Sequence, residues 1–353
     1  MHAFTAASVW LLLLLPISSY ARNGHTLSPG PYSHPPNWEP GFYNSTTTSN
    51  TQGTHTRKQK HSKSRTSSDI ATTTTTTPAS PGRPVARDDD EKARIVIYTN
   101  DLSDALLYTK YTHININFWN RDYNDWYIDA TAFQEAGKKV LISAYGGGVT
   151  PTSNGNDPIE DARMLAEFVQ RNGLDGVDID WEDGPSLGNG GEEWLITLTR
   201  ELREQLPSPY LITHAPQAPH FSPGLYYGGA YITVDQEAGH LIDFYNVQYY
   251  NQGSSSYDDC ECLLFYARGW APQTAVFEIH DTLGIPLNKL VIGKPVTEDG
   301  VDDGSTGYMD PSGLIECFRQ AGEQGWNAGG MGWRFGLDLD GTWADQLSEA
   351  LAM

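Results

Sequence analysis

The chain has 353 residues, with 35 glycines, 21 prolines and 39% hydrophobic residues, which suits a large loop-rich globular domain and excludes a coiled coil or a bundle of membrane spans. The formal net charge of −21 is unevenly spread: residues 1–93 carry 9 Lys/Arg against 6 Asp/Glu, and the remainder carries 14 against 38. So acidic a remainder repels phosphate backbones, which argues against nucleic acid as a partner and leaves neutral or polycationic ligands open.

At the N-terminus, the apolar run from Val9 to Ile17 is too short to cross a bilayer and is followed by Ser19-Tyr20-Ala21. It reads as a signal peptide over residues 1–21, cut after Ala21, and so predicts a secreted, extracellular protein with no membrane association once the signal is removed. Association with a cell wall is compatible with that location. Residues 22–93 contain Pro-Gly-Pro, Pro-Pro, a basic run from Arg57 to Arg65 and the homopolymer Thr72–Thr77, with few branched aliphatics. Such a segment cannot bury enough apolar surface to offset chain entropy, and a disordered Ser/Thr/Pro-rich tail is expected. In a secreted protein it reads as a glycosylated stalk, and Asn44-Ser45-Thr46 is the chain's one N-glycosylation sequon.

From Arg94 the texture changes to short apolar strands alternating with helical stretches. Strands are expected at Arg94–Thr99, Thr112–Phe118, Lys139–Ala144, Gly176–Trp181, Tyr210–Ala215, Asp243–Tyr249, Leu290–Gly293 and Gly329–Trp333. Helices are expected at Pro158–Arg171, Glu192–Gln205, Ala271–Thr282 and Pro311–Gln324. This is the pattern of a single α/β domain over residues 94–353, a (β/α)8 TIM barrel with its active site at the C-terminal ends of the strands. A doubly wound open sheet is the alternative, but no Gly-x-Gly-x-x-Gly turn follows the first strand. Of the three cysteines, Cys260 and Cys262 have too little chain between them to close a bridge comfortably, so Cys317 is expected to pair with one of the two. No further ligands at zinc-binding spacing accompany them, and no metal is expected.

The fourth strand reads Leu174-Asp175-Gly176-Val177-Asp178-Ile179-Asp180-Trp181-Glu182. Alternate side chains along a strand share a face, so Asp178, Asp180 and Glu182 line up opposite Val177, Ile179 and Trp181. Like charges at this spacing raise one another's proton affinity, so a carboxyl here should hold a proton near neutral pH, as a general acid must.

Asp-Gly-x-Asp-x-Asp-Trp-Glu, matched here at Asp175–Glu182, resembles the signature of family 18 glycoside hydrolases, which are (β/α)8 barrels. The resemblance extends from about Arg94 to the C-terminus. Tyr98 resembles that family's substrate-contacting tyrosine, Thr112-His113-Ile114-Asn115 its second-strand motif, and His214-Ala215-Pro216-Gln217 its fifth. Val247-Gln248-Tyr249-Tyr250-Asn251 resembles the sixth strand of the plant-type, hevamine-like branch, and Trp333 the tryptophan that floors the −1 sugar site. The third strand departs, reading Ser143-Ala144-Tyr145-Gly146-Gly147-Gly148 where Ser-x-Gly-Gly is usual; its register is open by one residue, and Gly147 is taken as the substrate-contacting glycine.

The resemblance implies a retaining, substrate-assisted hydrolysis with no cofactor. Glu182 is then the acid/base, Asp180 orients the acetamido group of the −1 sugar, Asp178 shares a proton with Asp180, and Tyr250 donates to the acetamido oxygen. Tyr98, Gly147, Gln248 and Trp333 line the substrate. It also implies cis peptides at Asn117–Phe118 and Trp333–Arg334. The expected ligands are chitin or N-acetylglucosamine oligosaccharides, bound by a monomer. The short span between strand seven and its helix leaves no room for an insertion domain, so an open groove and endo-action are expected. Two alternatives share the barrel: an endo-β-N-acetylglucosaminidase acting on N-glycans, and a non-catalytic chitin-binding lectin. Trp181 with the Gln248/Tyr250 pair favours the chitinase over the first, and retention of Glu182 disfavours the second. His214 is expected inside the barrel.

Overall fold

The computed structural model describes residues 93–351 apart from 254 and 255. The expected signal peptide, and the expected tail up to residue 92, lie outside the described residues. Eight parallel strands, β1 (Arg94–Thr99), β2 (His113–Trp119), β3 (Lys139–Tyr145), β4 (Gly176–Asp180), β5 (Leu211–His214), β6 (Phe244–Gln248), β7 (Leu290–Pro295) and β8 (Gly329–Trp333), pair in chain order. β8 returns to β1, Arg94 opposite Gly329, and closes the (β/α)8 barrel. Around it lie α1 (Thr131–Glu135), α2 (Pro158–Arg171), α3 (Gly191–Gln205), α4 (Tyr231–Ala238), α5 (Val276–Leu283), α6 (Pro311–Glu323) and α7 (Thr342–Leu351).

Local chemistry explains these boundaries. The Asp157 carboxylate accepts the Ile159 amide at the start of α2, Pro158 occupies the first turn, and Arg171 ends the helix against its dipole. Leu165, Phe168 and Val169 are wholly buried on one stripe of α2, each contributing ~1.5–3 kcal/mol of apolar burial. The helix expected from Ala271 begins only at Val276, because Gln273 has φ 61°, in the left-handed region off the helical path.

Register sets what faces the barrel interior. Tyr98 pairs with Asn115, Ser143 with Asp178, and Asp178 with Thr213, so these side chains form one interior layer. His214, the next residue after Thr213, points the other way. It is wholly buried between the sheet and the helices, against Thr199 of α3 and Tyr231 of α4, rather than inside the barrel as expected. A disulfide joins Cys260 to Cys317, tying the β6–α5 connection to α6 across 5.0 Å between Cα atoms. Cys262 instead faces the core, where its sulfur accepts the amides of Tyr257 and Arg268 at 3.4 Å each.

Candidate active site

β4 sends Asp178 and Asp180 inward, and Glu182 stands two residues beyond its end at the mouth of the barrel. Asp178 is wholly buried and accepts four hydrogen bonds. Tyr98 and Ser143 donate to Oδ2 at 2.7 and 2.8 Å; Thr213 and Asn246 donate to Oδ1 at 2.5 and 3.0 Å. Burial pushes this carboxyl above its ordinary range, while the four donors pull it back. Asp180 accepts the Gln248 amide at 2.9 Å, and the same nitrogen donates to the Ala215 carbonyl at 2.9 Å. Burial, then the charges of Glu182 and Asp178, drive Asp180 well above the usual carboxylate range. Of this adjacent pair, Asp178 is the carboxyl saturated with donors and Asp180 the one that favours the proton.

Glu182 is partly exposed, with Gln217 donating to its Oε2 at 3.5 Å. Burial raises it to about 7; the Asp302 charge adds to that, and the hydrogen bonds of Gln217 and Gln248 oppose it. It can therefore deliver a proton to a group in the mouth near neutral pH. Tyr250, just past β6, is 5% exposed, and its hydroxyl is raised by burial and then by the charges of Asp180 and Glu182. Tyr98 is 1% exposed and belongs to the Asp178 network, beneath the mouth.

The open register of the third strand is decided by Ser143, which stays on Asp178. Tyr145, with φ 79°, then takes the place of the motif's first glycine, anchored by its hydroxyl to Asp161 at 3.2 Å. Gly146 follows with φ 72° and donates its amide to the Asp180 carbonyl at 2.8 Å. A Cβ there would sit 2.5 Å from the Phe118 ring, so only glycine fits. Gly147 lies against the acid, its would-be Cβ 3.7 Å from Glu182 Oε1. Trp333 is partly buried on β8, stacked on Phe118 at 6.2 Å between centroids and tilted against Tyr98 at 5.8 Å. The Asn117–Phe118 and Trp333–Arg334 peptides are both cis. All eight residues singled out from the sequence thus gather at one end of the barrel.

Sequence reasoning missed Ser143, Thr213 and Asn246 as partners of Asp178, and Asp302 as a charge near the acid. The first three become visible only when β3, β5 and β6 are brought into register around β4. Asp302 lies in the β7–α6 connection, residues 296–310, which holds a single 3₁₀ turn at Glu298–Gly300 and no insertion domain.

The structure is similar to that of a family 18 chitinase from Pseudoalteromonas aurantia, at 29% identity over 73% of this chain and 100% of that one, with a TM-score of 0.62. A fungal endo-β-N-acetylglucosaminidase of glycosyl hydrolase family 18 shares the fold at 21% identity, over 73% of this chain and 98% of that one, with a TM-score of 0.54. So does a class V chitinase from Nicotiana tobaccum in complex with NAG4, at 16% identity over 74% and 99% of the two chains, with a TM-score of 0.55. The model of the glycosyl hydrolases family 18 matches residues 91–334, a span that contains the carboxylate strand. The chain belongs to glycosyl hydrolases family 18 and is a glycoside hydrolase.

Proposed function

We propose that the protein is a secreted, monomeric, endo-acting chitinase that cleaves β-1,4 bonds between N-acetylglucosamine units with retention, the substrate's own acetamido group serving as nucleophile. The observation that carries this reading is the division of labour among the carboxyls: Asp178 saturated by four donors, Asp180 favouring a proton, and Glu182 at about 7 at the mouth. No second carboxylate stands opposite Glu182 as a separate nucleophile in this scheme, which is how family 18 departs from the two-carboxylate rule.

Glu182 protonates the glycosidic oxygen as the acetamido carbonyl oxygen attacks the anomeric carbon, and the bond to the leaving sugar breaks. The proton that Asp180 favours in the free enzyme passes to Asp178; Gln248 then holds Oδ1 of the Asp180 carboxylate, and the acetamido N–H is received by the other oxygen, which offsets the oxazolinium charge. Tyr250 donates to the acetamido oxygen and steadies it for attack. Water, deprotonated by Glu182, then opens the oxazolinium on the face from which the aglycon left, returning the proton to Glu182. Trp333 offers an apolar ring to the −1 pyranose. The short β7–α6 connection leaves the groove open, which supports internal cleavage. The Cys260–Cys317 disulfide supports an oxidising, extracellular location, as does the signal-like N-terminus.

The test is a product profile on a chitin hexamer and on a high-mannose glycopeptide, since both carry the required acetamido group. Dimers, trimers and tetramers from the hexamer are expected. Release of intact glycan with little hexamer turnover would replace this reading with an endo-β-N-acetylglucosaminidase, and tight chitin binding without turnover of either would leave a lectin.

A further inference from the structure

We infer that Lys294 is a positioning residue for Tyr250: its buried side chain clasps the carbonyls of Tyr249, Tyr257 and Gly307 and so sets where the Tyr250 hydroxyl stands over the −1 site. The inference rests on the role given to Tyr250 above. Lys294 lies on β7, and its neighbour Gly293 faces Met331 in the barrel interior, so the lysine leaves the barrel wall on the outer side. There it is 0% exposed, and Nζ donates to Tyr249 O at 3.0 Å, Tyr257 O at 2.5 Å and Gly307 O at 3.0 Å. These carbonyls belong to three separate segments: the end of β6, the β6–α5 connection and the β7–α6 connection. An ammonium has three N–H donors and three acceptors take them, whereas a neutral amine has too few for all three.

The grip bears on one residue. The Tyr249 amide still donates to Gly293 O at 3.2 Å, but Tyr250 lies past this ladder bond. Gly307, with φ 118°, closes on Tyr250 from the β7–α6 side; a Cβ on it would lie 2.4 Å from Tyr250 Cα and 2.8 Å from Tyr249 O. Asn251, at φ 62°, donates its amide to Thr306 O at 3.0 Å. The backbone on either side of Tyr250 is thus tied to the β7–α6 connection, and Lys294 holds both of those strips to β7. A hydroxyl that must meet the acetamido oxygen within a fraction of an ångström depends on such a brace.

The experiment is a double-mutant comparison on the chitin hexamer: Lys294→Met, of similar stem length, in the wild-type and the Tyr250→Phe backgrounds. In the wild type the substitution is expected to lower kcat about 30-fold with KM within about twofold, and in the Tyr250→Phe background by about threefold or less. Equal losses in both backgrounds, or a folded variant with wild-type kcat, overturn the inference, since a merely structural lysine would act independently of the hydroxyl. Gly307→Ala, which pushes on Tyr250 without removing the ammonium, is measured in the same two backgrounds; the same collapse of its effect is expected, so a poorly folding lysine variant does not leave the idea unexamined. A Tyr250→Phe enzyme with wild-type kcat would fail the reading of Tyr250 itself. That single-variant result separates its failure from a failure of Lys294 alone.

Discussion

The Tyr98 hydroxyl of β1 donates to Oδ2 of Asp178 on β4 at 2.7 Å, across the interior of the barrel. Ser143 meets the same oxygen, and Thr213 and Asn246 fill the other, so five strands converge on one buried carboxylate. Asp178 is a structural hub, and in the proposed mechanism it is also the proton partner of Asp180; the two roles can be separated by substitution.

Asp178→Asn replaces one acceptor oxygen by a donor, which must then face two of the four donors. Leaving them unsatisfied costs ~1–3 kcal/mol each. We expect Tm to fall by roughly 5–15 °C, with kcat reduced as well. Scanning calorimetry on the purified variant checks this; an unchanged Tm would mean that the hydroxyls readily find other acceptors.

Glu182 imposes a pH dependence whose sign follows from its raised proton affinity. The proposed mechanism requires the protonated acid, so kcat/KM should decline as the pH rises through about 7. Stability moves in the same direction. The folded protein binds this proton more tightly than the unfolded chain, so stability is greatest below about 4.5 and is lost as the pH climbs to about 7. Glu182→Gln cannot ionise, so the difference in Tm between variant and wild type should grow in the variant's favour over that interval. Parallel Tm curves for the two proteins would contradict the raised value.

The disulfide closes a loop of 57 residues, and the chain-entropy model assigns it ~4 kcal/mol. Cys260→Ser should lower Tm measurably, and dithiothreitol should lower the Tm of the wild type but not of the variant. Cys262→Ser, by contrast, should leave the dithiothreitol response in place, because that sulfur lies in the core and is unpaired covalently.

Much of this was legible in the chain. The strands announced themselves as short apolar runs, and the Asp178–Asp180–Glu182 alternation already put three carboxyls on one face, because a period of two fixes which side chains share a side. What stayed hidden depends on closure. Thr213 and Asn246 are ordinary strand residues until β5 and β6 are laid against β4. Lys294 reads as an interruption in an apolar strand, and only its three carbonyl partners, distant in sequence, give it a role. α4 is not visible in the sequence because Thr233, Val234 and Asp235 are weak helix formers, and its N-cap, Ala230 with φ 46°, offers no capping side chain. Tyr145 in a glycine's place obscured the third-strand register for a related reason: its left-handed φ is held here by packing and by Asp161, not by residue type.

The central claim is that Glu182 supplies the proton, and the most direct measurement is the hydrolysis rate of the chitin hexamer by Glu182→Gln beside its affinity for the same oligomer. The amide preserves shape and lacks the acidic proton, so kcat should fall by ~10²–10⁴-fold while the dissociation constant changes by no more than about threefold. A folded variant that keeps more than about one per cent of wild-type kcat would contradict the assignment.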